Sequence, residues 1–471
     1  MTARFFILLF ITLGISISGI SQPFTESTKL LAKFPSLNQQ FGESVEIHDN
    51  FAIVGAMKAS KAHIFEKKDG EWKHKQILSS GFGGWFGQGV AIYDSVAVVG
   101  APKESSNKGA VYVYRRNNYG WAMEQKLLPD DIQNGDAFGA NVDIHKNVIV
   151  VGAPLDDDGD LDAGAIYIYE FDGTTWNEEA QLTGSNIDEG DGFGIGVGVW
   201  ESYVVVGAHS CDYFESNAGS VHLFAKEAGI WVEKQMVGTS DAAGQDHFGY
   251  SVSIADGRFV AGAYGQNITG TNSGSAYVFK NTGTYWTEEA HISPSLSADH
   301  DWFGFDVSIS ENYLIMGSDI GPLEGSAVIF EYNGSEWVEL QALMGSDTET
   351  GDSFGRSVGI YGNKVIVGAL ANGDEGVHTG SAYIFEKGVS GFVEQKDTEF
   401  SIFPNPSQGE VQINKDFKGS ISLYTSQLRL VEVFDLNETD GRLNLHHLKP
   451  GLYFLGIQLE EGATFKRLIL E

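Results

Sequence analysis

The stretch Phe41-Gly-Glu-Ser-Val-Glu-Ile-His-Asp-Asn-Phe-Ala-Ile-Val-Gly-Ala56 contains a two-part signature, in which Phe-Gly is followed fourteen residues later by Gly-Ala. The signature occurs seven times at this constant spacing, with Ser318 in place of the final Ala once. The copies begin at Phe41, Phe86, Phe138, Phe193, Phe248, Phe303 and Phe354. Self-similarity at a period of about 45 to 55 residues indicates stacked or radial repetition of one supersecondary unit.

Each repeat is predicted to form four short strands, which we label A to D. In Phe248-Gly-Tyr-Ser-Val-Ser-Ile254 apolar and small residues alternate, which is typical of a strand, and Val148-Ile-Val-Val151 suits a buried strand B. Strand C contains an aromatic residue, and strand D begins seven residues later with a Trp or, in the last copy, with Phe392. Seven four-stranded sheets predict an all-β fold, a seven-bladed β-propeller.

The recurring Phe-Gly and Gly-Ala pairs resemble the FG-GAP repeats of the integrin α-subunit propeller, and more closely the short bacterial version of that repeat. The resemblance covers residues 41 to 396. The integrin-type repeat often has a calcium loop between the two pairs, but here the connection is short, as in Tyr93-Asp-Ser-Val96. The calcium sites of that family are therefore not expected at these positions.

The N-terminal residues 1–21 are predicted to be a secretory signal, with Arg4 before an apolar run and a small-x-small end at Gly19-Ile-Ser21. No other stretch has the length of a membrane span. Leu30 precedes Phe41 by the eleven residues that separate Leu127 from Phe138. We therefore expect the segment around Leu30 to complete blade seven, either beside Phe392 to Lys396 or in their place.

The propeller is predicted to span residues 22–398, and a second module follows at 399–471. Its alternating strands and Pro and Gly turns predict a small β-sandwich. Pro404-Asn-Pro406, Gly451-Leu-Tyr-Phe454 and Lys466-Arg467 resemble the C-terminal sorting domain of type IX secretion substrates of Bacteroidetes. That resemblance implies interaction with the type IX secretion machinery, and a protein that is secreted or attached to the outer surface of the outer membrane.

The formal net charge of −33 lies almost wholly on the propeller. Nucleic acid and anionic membranes are therefore not expected as partners, because both require basic patches. The same charge is expected to keep an exported protein soluble and monomeric. Cys211 is the single cysteine, so an intramolecular disulfide is excluded.

The connections from strand B to C vary in length, and they share one face of the ring with the D to A connections. We call it the variable face and the opposite one the turn face. Repeat proteins tend to bind ligands on the face that varies. The loop Asp156-Asp-Asp-Gly-Asp-Leu-Asp162 lies there. Asp156, Asp158, Asp160 and Asp162 are candidate calcium ligands, the alternative being a solvated acidic loop.

Two further patterns lie on the variable face. An Asp stands two residues before Phe-Gly in five blades, at Asp136, Asp191, Asp246, Asp301 and Asp352. A turn in which each carboxylate accepts nearby backbone N–H groups explains this repetition more economically than a ring that attracts cations. Aromatic side chains are the candidate ligand contacts, since they stack on sugars or grip proteins. These candidates are Trp85, Trp302, Tyr213 and Phe214.

The predicted function is that of a secreted or cell-surface binding or adhesion module, non-catalytic, with a protein or glycan as its ligand. A polysaccharide-active hydrolase or lyase with a centre on the propeller axis is the first alternative, and a structural surface or matrix component is the second. Clustered carboxylates with shifted pKa values at the axis would favour the enzyme. A broad aromatic patch on the variable face would favour binding.

Overall fold

The computed structural model of the protein describes residues 23–295, 297–318, 325–373 and 376–388, and the segments 402–403, 407, 409–413, 420–425, 430–435, 442–459 and 462–470. Contacts divide the chain into two compact units that meet at Lys387/Gly388. The predicted boundary was 398/399. The predicted signal, residues 1–21, and Pro404-Asn-Pro406 lie outside the described residues.

The first unit contains seven four-stranded sheets, which confirms the predicted propeller. The strand that completes the last blade is β1 (Phe24–Leu30). Blade 1 contains β2 (Phe41–His48), β3 (Phe51–Ala56), β4 (Lys61–Lys68) and β5 (Glu71–Leu78). Blade 2 contains β6 (Val90–Tyr93), β7 (Val96–Gly100), β8 (Val111–Asn117) and β9 (Gly120–Leu127). Blade 3 contains β10 (Asn141–His145), β11 (Val148–Ala153), β12 (Ala165–Phe171) and β13 (Trp176–Leu182).

The remaining four blades follow the same antiparallel pattern. Blade 4 contains β14 (Gly196–Trp200), β15 (Tyr203–Ala208), β16 (Ser220–Glu227) and β17 (Ile230–Val237). Blade 5 contains β18 (Val252–Ala255), β19 (Arg258–Ala263), β20 (Ser275–Asn281) and β21 (Trp286–Ile292). Blade 6 contains β22 (Phe303–Ser310), β23 (Tyr313–Ser318), β24 (Ser326–Tyr332) and β25 (Trp337–Leu343). Blade 7 adds β26 (Phe354–Tyr361), β27 (Lys364–Ala369) and β28 (Ser381–Lys387). Two short helical turns, Met57–Ala59 and Glu104–Asn107, lie in the B to C connections of blades 1 and 2.

The core lies between adjacent blades. Phe138 packs edge-on against Tyr167, with ring centroids 5.2 Å apart, in a buried cluster that combines side chains of blades 2 and 3. Strand B is buried along its whole length, as in Val148–Ala153, because neighbouring blades cover both of its faces. Burial of apolar area between the blades is therefore the main stabilising contribution to the ring.

The glycines of the signature hold neighbouring blades together. A Cβ added to Gly207 of blade 4 would lie 1.7 Å from the carbonyl oxygen of Gly249 in blade 5. The same contact joins every adjacent pair of blades, and Gly368 approaches Gly42 in this way between blades 7 and 1. Gly249 also has φ of +90°, a conformation that other residues rarely adopt. The signature therefore marks the sites where the backbones of two blades touch.

Ring closure depends on β1, which pairs antiparallel with β28 in the place that strand D occupies in the other six blades. The side chain of Gln341 donates to the Phe24 carbonyl at 2.9 Å and accepts the Phe24 N–H at 2.8 Å. Gln125 makes the same two bonds with Trp176. Phe24 thus stands where other blades have Trp. Phe392 to Lys396 lie outside the described residues.

The second unit contains two antiparallel sheets, as a small β-sandwich requires. The three-stranded sheet has the order β29 (Ile402–Phe403), β30 (Glu410–Ile413) and β33 (Arg442–Asn444). The four-stranded sheet has the order β32 (Leu430–Asp435), β31 (Ser420–Thr425), β34 (Gly451–Leu459) and β35 (Gly462–Leu470). Val411 and Leu443 of one sheet share a buried cluster with Leu423 and Leu455 of the other.

Candidate functional site

An axial cavity of about 230 Å³ is lined by the A strands of all seven blades. Its rim on the variable face is formed by the residue that directly follows each Phe-Gly, where strand A enters the hub. These residues are Glu43, Gln88, Ala140, Ile195, Tyr250, Phe305 and Arg356. They differ in every blade, although the Phe-Gly pairs that precede them are identical. The rim is therefore the part of strand A where side chains can differ in shape and chemistry without loss of the fold.

Aromatic side chains crowd one side of this rim, over blades 4 to 6. We call this group the aromatic recess, and it consists of His209, His247, Tyr250, Tyr264, Trp302 and Phe305. The Tyr250 and Phe305 rings are 4.7 Å apart, and the His247 ring stacks on Tyr264 at 5.0 Å. Arg356 lies over the outer face of Phe305 at 4.3 Å and pairs with Glu43 at 3.0 Å.

Three buried polar atoms without a protein partner lie at this rim and in the aromatic recess, among others elsewhere in the described residues. Within the described residues, Trp302 Nε1, His209 Nδ1 and Gln88 Oε1 are buried and form no hydrogen bond. An unsatisfied buried donor or acceptor costs about 1–3 kcal/mol, so native proteins rarely leave one without a reason. A ligand that supplies the missing partners would remove this cost.

The residue before each Phe-Gly has a positive φ in all seven blades, so this conformation belongs to the fold. Glycine adopts it without strain, as at Gly192, whereas a side chain makes it less favourable. Trp302 nevertheless occupies this position, with φ of 57°. Its indole is therefore placed at the rim against the local backbone preference.

Three carboxylates lie deeper in the cavity, on the A strands of blades 1, 3 and 6. Burial, and then the nearby charge of Asp143, raise the pKa of Glu46 to about 8. Burial raises the pKa of Asp143 to about 6 and also raises the pKa of Asp306. Each position lies among the residues that line the cavity. Clustered carboxylates with raised pKa values are therefore present at the axis.

These carboxylates already have acceptor roles within the hub. Asp143 accepts the N–H of Val199 in the next blade at 2.7 Å, and Asp306 accepts the N–H of Val358 at 2.8 Å. Glu46 accepts the N–H of Ile47 at 2.8 Å. Serines fill the same role elsewhere in the hub, as where Ser253 accepts the Ile309 N–H. Strand A is the innermost strand, so its N–H groups on the edge away from strand B lack a ladder partner and side chains satisfy them.

A second set of rings surrounds the axis at the turn face, at the ends of the A strands. Each ring contacts the next in the order Tyr361, His48, Tyr93, His145 and Trp200. The centroid separations of successive rings are 4.3, 4.4, 4.9 and 4.3 Å. We call these five residues the collar. Burial lowers the pKa of both His48 and His145, which favours neutral imidazoles that stack well on the neighbouring rings. The axial cavity thus has chemically different ends.

Comparison with known families agrees with this geometry. The family model described as the FG-GAP repeat matches residues 81–114, 121–169, 176–224, 231–279, 286–330 and 337–385, which is more than half of the chain. The chain belongs to the FG-GAP repeat family. Five of the six matches start at the Trp of a strand D, one starts in the connection after blade 1, and all end in strand C of the next blade. An FG-GAP unit therefore spans two blades, which explains why an extra strand D, β1, is needed before the first one.

The C-terminal unit matches a different family model. Residues 401–471 match the secretion system C-terminal sorting domain. This domain indicates export by type IX secretion, a route of Bacteroidetes, to the cell surface or the extracellular space. Among the described residues, no helix is long and apolar enough to cross a membrane.

Comparison with individual proteins adds less. No curated protein matches the chain. A solved structure described as "Crystal Structure of Mitotic Checkpoint Complex" aligns with a TM-score of 0.49 and 10% identity, covering 82% of this chain and 98% of that chain.

The predicted calcium loop does not gather its four carboxylates. Asp156 is buried and accepts the hydroxyl of Tyr167 at 2.9 Å, whereas Asp158, Asp160 and Asp162 are exposed. Other FG-GAP units bury Glu104 or Gln266 beside the equivalent tyrosine, so Asp156 occupies a position with a structural role. No group of three metal-ligating side chains is found in the described part of the chain. Calcium at this loop remains a prediction.

The Asp that precedes Phe-Gly forms a local turn in all five blades. Asp191 accepts the N–H of Asp188 at 2.9 Å, and Asp246 accepts the N–H of Ala243 at 2.8 Å. The donor is the residue three positions earlier, which closes each D to A connection on itself. Burial raises the pKa of Asp246 to about 6. The turn explanation of this repetition therefore agrees with the structure.

The four aromatic candidates lie in connections of the variable face but do not form one group. Trp302 belongs to the aromatic recess, and Trp85 lies across the axis, beside Gln88. Tyr213 and Phe214 contact each other at 5.1 Å, and Phe214 packs on Gly238 at the outer end of blade 4. Sequence reasoning missed Tyr250, Tyr264 and the rim. The signal that could have found the rim is the residue after each Phe-Gly, which never repeats.

Proposed function

We propose that this FG-GAP protein is a non-catalytic binding module outside the cell, and that the rim and aromatic recess of its variable face contact a glycan or protein ligand. The observation that carries the proposal is the buried, unpartnered Trp302 Nε1 within a group of aromatic rings at the mouth of the axial cavity. Aromatic faces supply contact area, and the indole N–H supplies a directional hydrogen bond.

A ligand explains features that the fold itself does not require. Other FG-GAP units place Gly192 or Ser353 before Phe-Gly, so a blade forms without a large ring at this position. The ring contacts in the recess hold the side chains in one arrangement before a ligand arrives. Such preorganisation reduces the entropy lost on binding.

An axial enzyme is the second candidate, and the raised pKa of Glu46 in a cavity with Asp143 is the observation that favours it. Against it, Asp143 and Asp306 each accept hydrogen bonds from strand A through both oxygens. A catalytic carboxyl must exchange a proton with its substrate or attack it. Atoms already committed to the backbone of the hub are poorly placed for either role.

The test is a glycan array combined with a pull-down of cell-surface proteins, using the purified exported protein. We expect the ligand to be lost in Trp302→Ala and weakened in Trp302→Phe, which retains a ring but lacks the N–H. Tyr119→Ala removes a fully exposed ring from the turn face and is the matched control. Equal binding by Trp302→Ala and Tyr119→Ala would refute the recess as the contact site.

Polysaccharide turnover separates the two candidates. Glu46→Gln preserves an oxygen that accepts the Ile47 N–H but cannot transfer a proton at neutral pH. We expect the variant to bind the same ligand with unchanged affinity. Measurable cleavage of any polysaccharide by the wild type that disappears in Glu46→Gln would establish the enzyme instead.

A further inference from the structure

Charge on the variable face is segregated by blade. The connections leading into and within blades 1 and 2, residues 31–40, 57–60, 79–89 and 101–110, contain Lys33, Lys58, Lys103 and Lys108. The other connections of this face contain no lysine or arginine, and nearly all of them contain acidic residues. These connections are 128–140, 154–164, 183–195, 209–219, 238–251, 264–274, 293–302, 319–325, 344–353 and 370–380. A protein of net charge −33 thus concentrates the bases of this face in one sector.

These lysines have no salt-bridge partner in the described residues, although the charge of Lys108 acts to lower the pKa of Asp136. In the described residues, Lys33, Lys58, Lys103 and Lys108 form no ion pair, whereas Lys67, Lys226 and Arg258 elsewhere on the propeller are paired with glutamates. The single acid of the sector, Glu104, is buried and bound by the Tyr112 hydroxyl at 2.7 Å and by Lys126 at 2.6 Å. The surface of the sector is therefore positive.

Aromatic rings accompany the lysines. Lys58 and Lys103 lie over the Trp85 ring, at 3.9 and 3.4 Å from its centroid. Phe82 is 74% exposed, and the Lys126 ammonium is 5.6 Å from its ring. Phe34 is 65% exposed, with Lys33 at 5.7 Å. Each of these rings thus combines an apolar face with a cation beside it.

The loop that carries Phe82 and Trp85 turns sharply, because Gly81, Gly83 and Gly84 all have positive φ, between 71° and 80°. It leaves the Phe82 ring exposed, whereas Trp85 is partly buried and has two lysines over its ring. Exposing a large ring such as Phe82 without contact costs the free energy of its burial, about 1.5–3 kcal/mol. Phe82 and Phe34 are two such exposed rings in a sector whose four lysines form no ion pair in the described residues, and this combination favours a role in binding.

We propose that this basic sector binds an acidic polysaccharide, a chain of sugars that carry carboxylate groups. The sugar rings stack on the exposed Phe82 ring, while the two lysines that lie over Trp85 pair with the carboxylates. Lysine suits this ligand because its ammonium group can donate to anions in many orientations, whereas the planar guanidinium of arginine requires a fixed geometry. Export to the cell surface or beyond brings the sector into contact with such polymers.

Other anionic polymers fit the surface less well. Duplex nucleic acid is wide and densely charged, and it would meet the acidic connection 128–140 that follows the sector. An acidic peptide would be held here by its charges alone, because the described part of this sector presents separate rings and neither a sheet edge nor a continuous apolar groove. The sector lies across the axis from the aromatic recess, so this proposal does not depend on the proposed function.

The experiment measures binding of polygalacturonate to the purified exported protein, by calorimetry at about 50 mM and about 300 mM salt. We expect binding at low salt that weakens at high salt, and no binding of neutral dextran. The double variant Lys58→Gln/Lys103→Gln should lose about tenfold in affinity, as expected for removal of two exposed charge contacts. Phe82→Ala, which alters an exposed side chain, should also weaken binding.

The matched control is Lys68→Gln/Lys364→Gln. These two lysines also form no ion pair in the described residues, but they lie at the turn face, in the C to D turn of blade 1 and the A to B turn of blade 7. Both double variants change the net charge equally. An equal loss of affinity in the two double variants would refute the basic sector as the binding site. Absence of binding by the wild type at low salt would refute it as well. If poly-glutamate bound with the same affinity as polygalacturonate, and Phe82→Ala did not change that affinity, the proposal that the ligand is a polysaccharide would be refuted. Trp302→Ala should leave polygalacturonate binding unchanged.

Discussion

Replacing Glu46 with glutamine tests how the hub of the propeller is built. Glu46 lies in the axial cavity, where burial and the charge of Asp143 raise its pKa from 4.5 to about 8. The folded protein therefore keeps this proton between pH 5 and 8, while the unfolded chain releases it. Folding is then penalised progressively as the pH rises through that range, because a raised folded-state pKa of an acid favours the protonated form.

The size of the effect follows from the shift. One pKa unit corresponds to about 1.4 kcal/mol, so a rise from 4.5 to about 8 sets an upper limit of about 5 kcal/mol in all, and of about 3.5 kcal/mol between pH 5 and pH 8. Water in the cavity and relaxation of the hub reduce this limit, and we expect about 2 kcal/mol. Glu46→Gln is neutral throughout, so it should be more stable than the wild type at pH 8 and show a smaller advantage, or none, at pH 5.

The assay is urea unfolding of both proteins at pH 5, 6, 7 and 8, with the stability difference between them as the readout. Asp143 and Asp246 have pKa values of about 6 and also titrate in this range, but they are common to both proteins. The difference therefore reports Glu46 together with its coupling to Asp143. Glu336→Gln, at an exposed position in a C to D turn, is the control. A stability difference that stays constant from pH 5 to 8 would refute the desolvation argument and leave Glu46 ionised and available for chemistry.

Three further predictions concern ring closure, blade contacts and calcium. Phe24→Ala should cost about 3–5 kcal/mol, as for buried aromatics, and lower the melting temperature, whereas the exposed Phe34→Ala should not. Gly207→Ala should yield insoluble or strongly destabilised protein in an expression and melting test, because its Cβ would lie 1.7 Å from the Gly249 oxygen, while Gly159→Ala should be tolerated. Calcium at the Asp156 loop should raise the melting temperature relative to chelator-treated protein, and equal melting curves would remove that prediction.

The propeller was predictable because the sequence pattern that defines each blade is short and recurs seven times. Phe-Gly and Gly-Ala recur at one spacing since two backbones must touch there in every blade, and only glycine allows that approach. The closing strand was predictable only in part. The spacing from Leu30 to Phe41 matches that between strand D and the next Phe-Gly in other blades, but Phe24 stands where those blades have Trp. A second candidate for the last strand, Phe392 to Lys396, directly follows blade 7 in the sequence.

The candidate site was less accessible to sequence reasoning. Of the residues in the aromatic recess, Trp302 was predicted as a ligand contact, whereas Tyr250 and Tyr264 lie in different parts of the repeat and meet only when blades 4 to 6 are side by side. In the acidic loop Asp156–Asp162, the sequence pattern could not show where each carboxylate points. Alternating carboxylates suggested convergence, but the loop turns Asp156 inward to Tyr167 and the others outward to solvent.

Sequence alone determined the number of blades, the strand order within them, and the sorting module at the C-terminus, because spacing and alternation are properties of neighbouring residues. Tertiary structure decided which residues share a surface. The rim, the collar and the basic sector each take residues from different blades, separated by tens of positions along the chain. Their proximity follows from closure of the ring, which brings the start of every strand A to one end of the axis and the end of every strand A to the other.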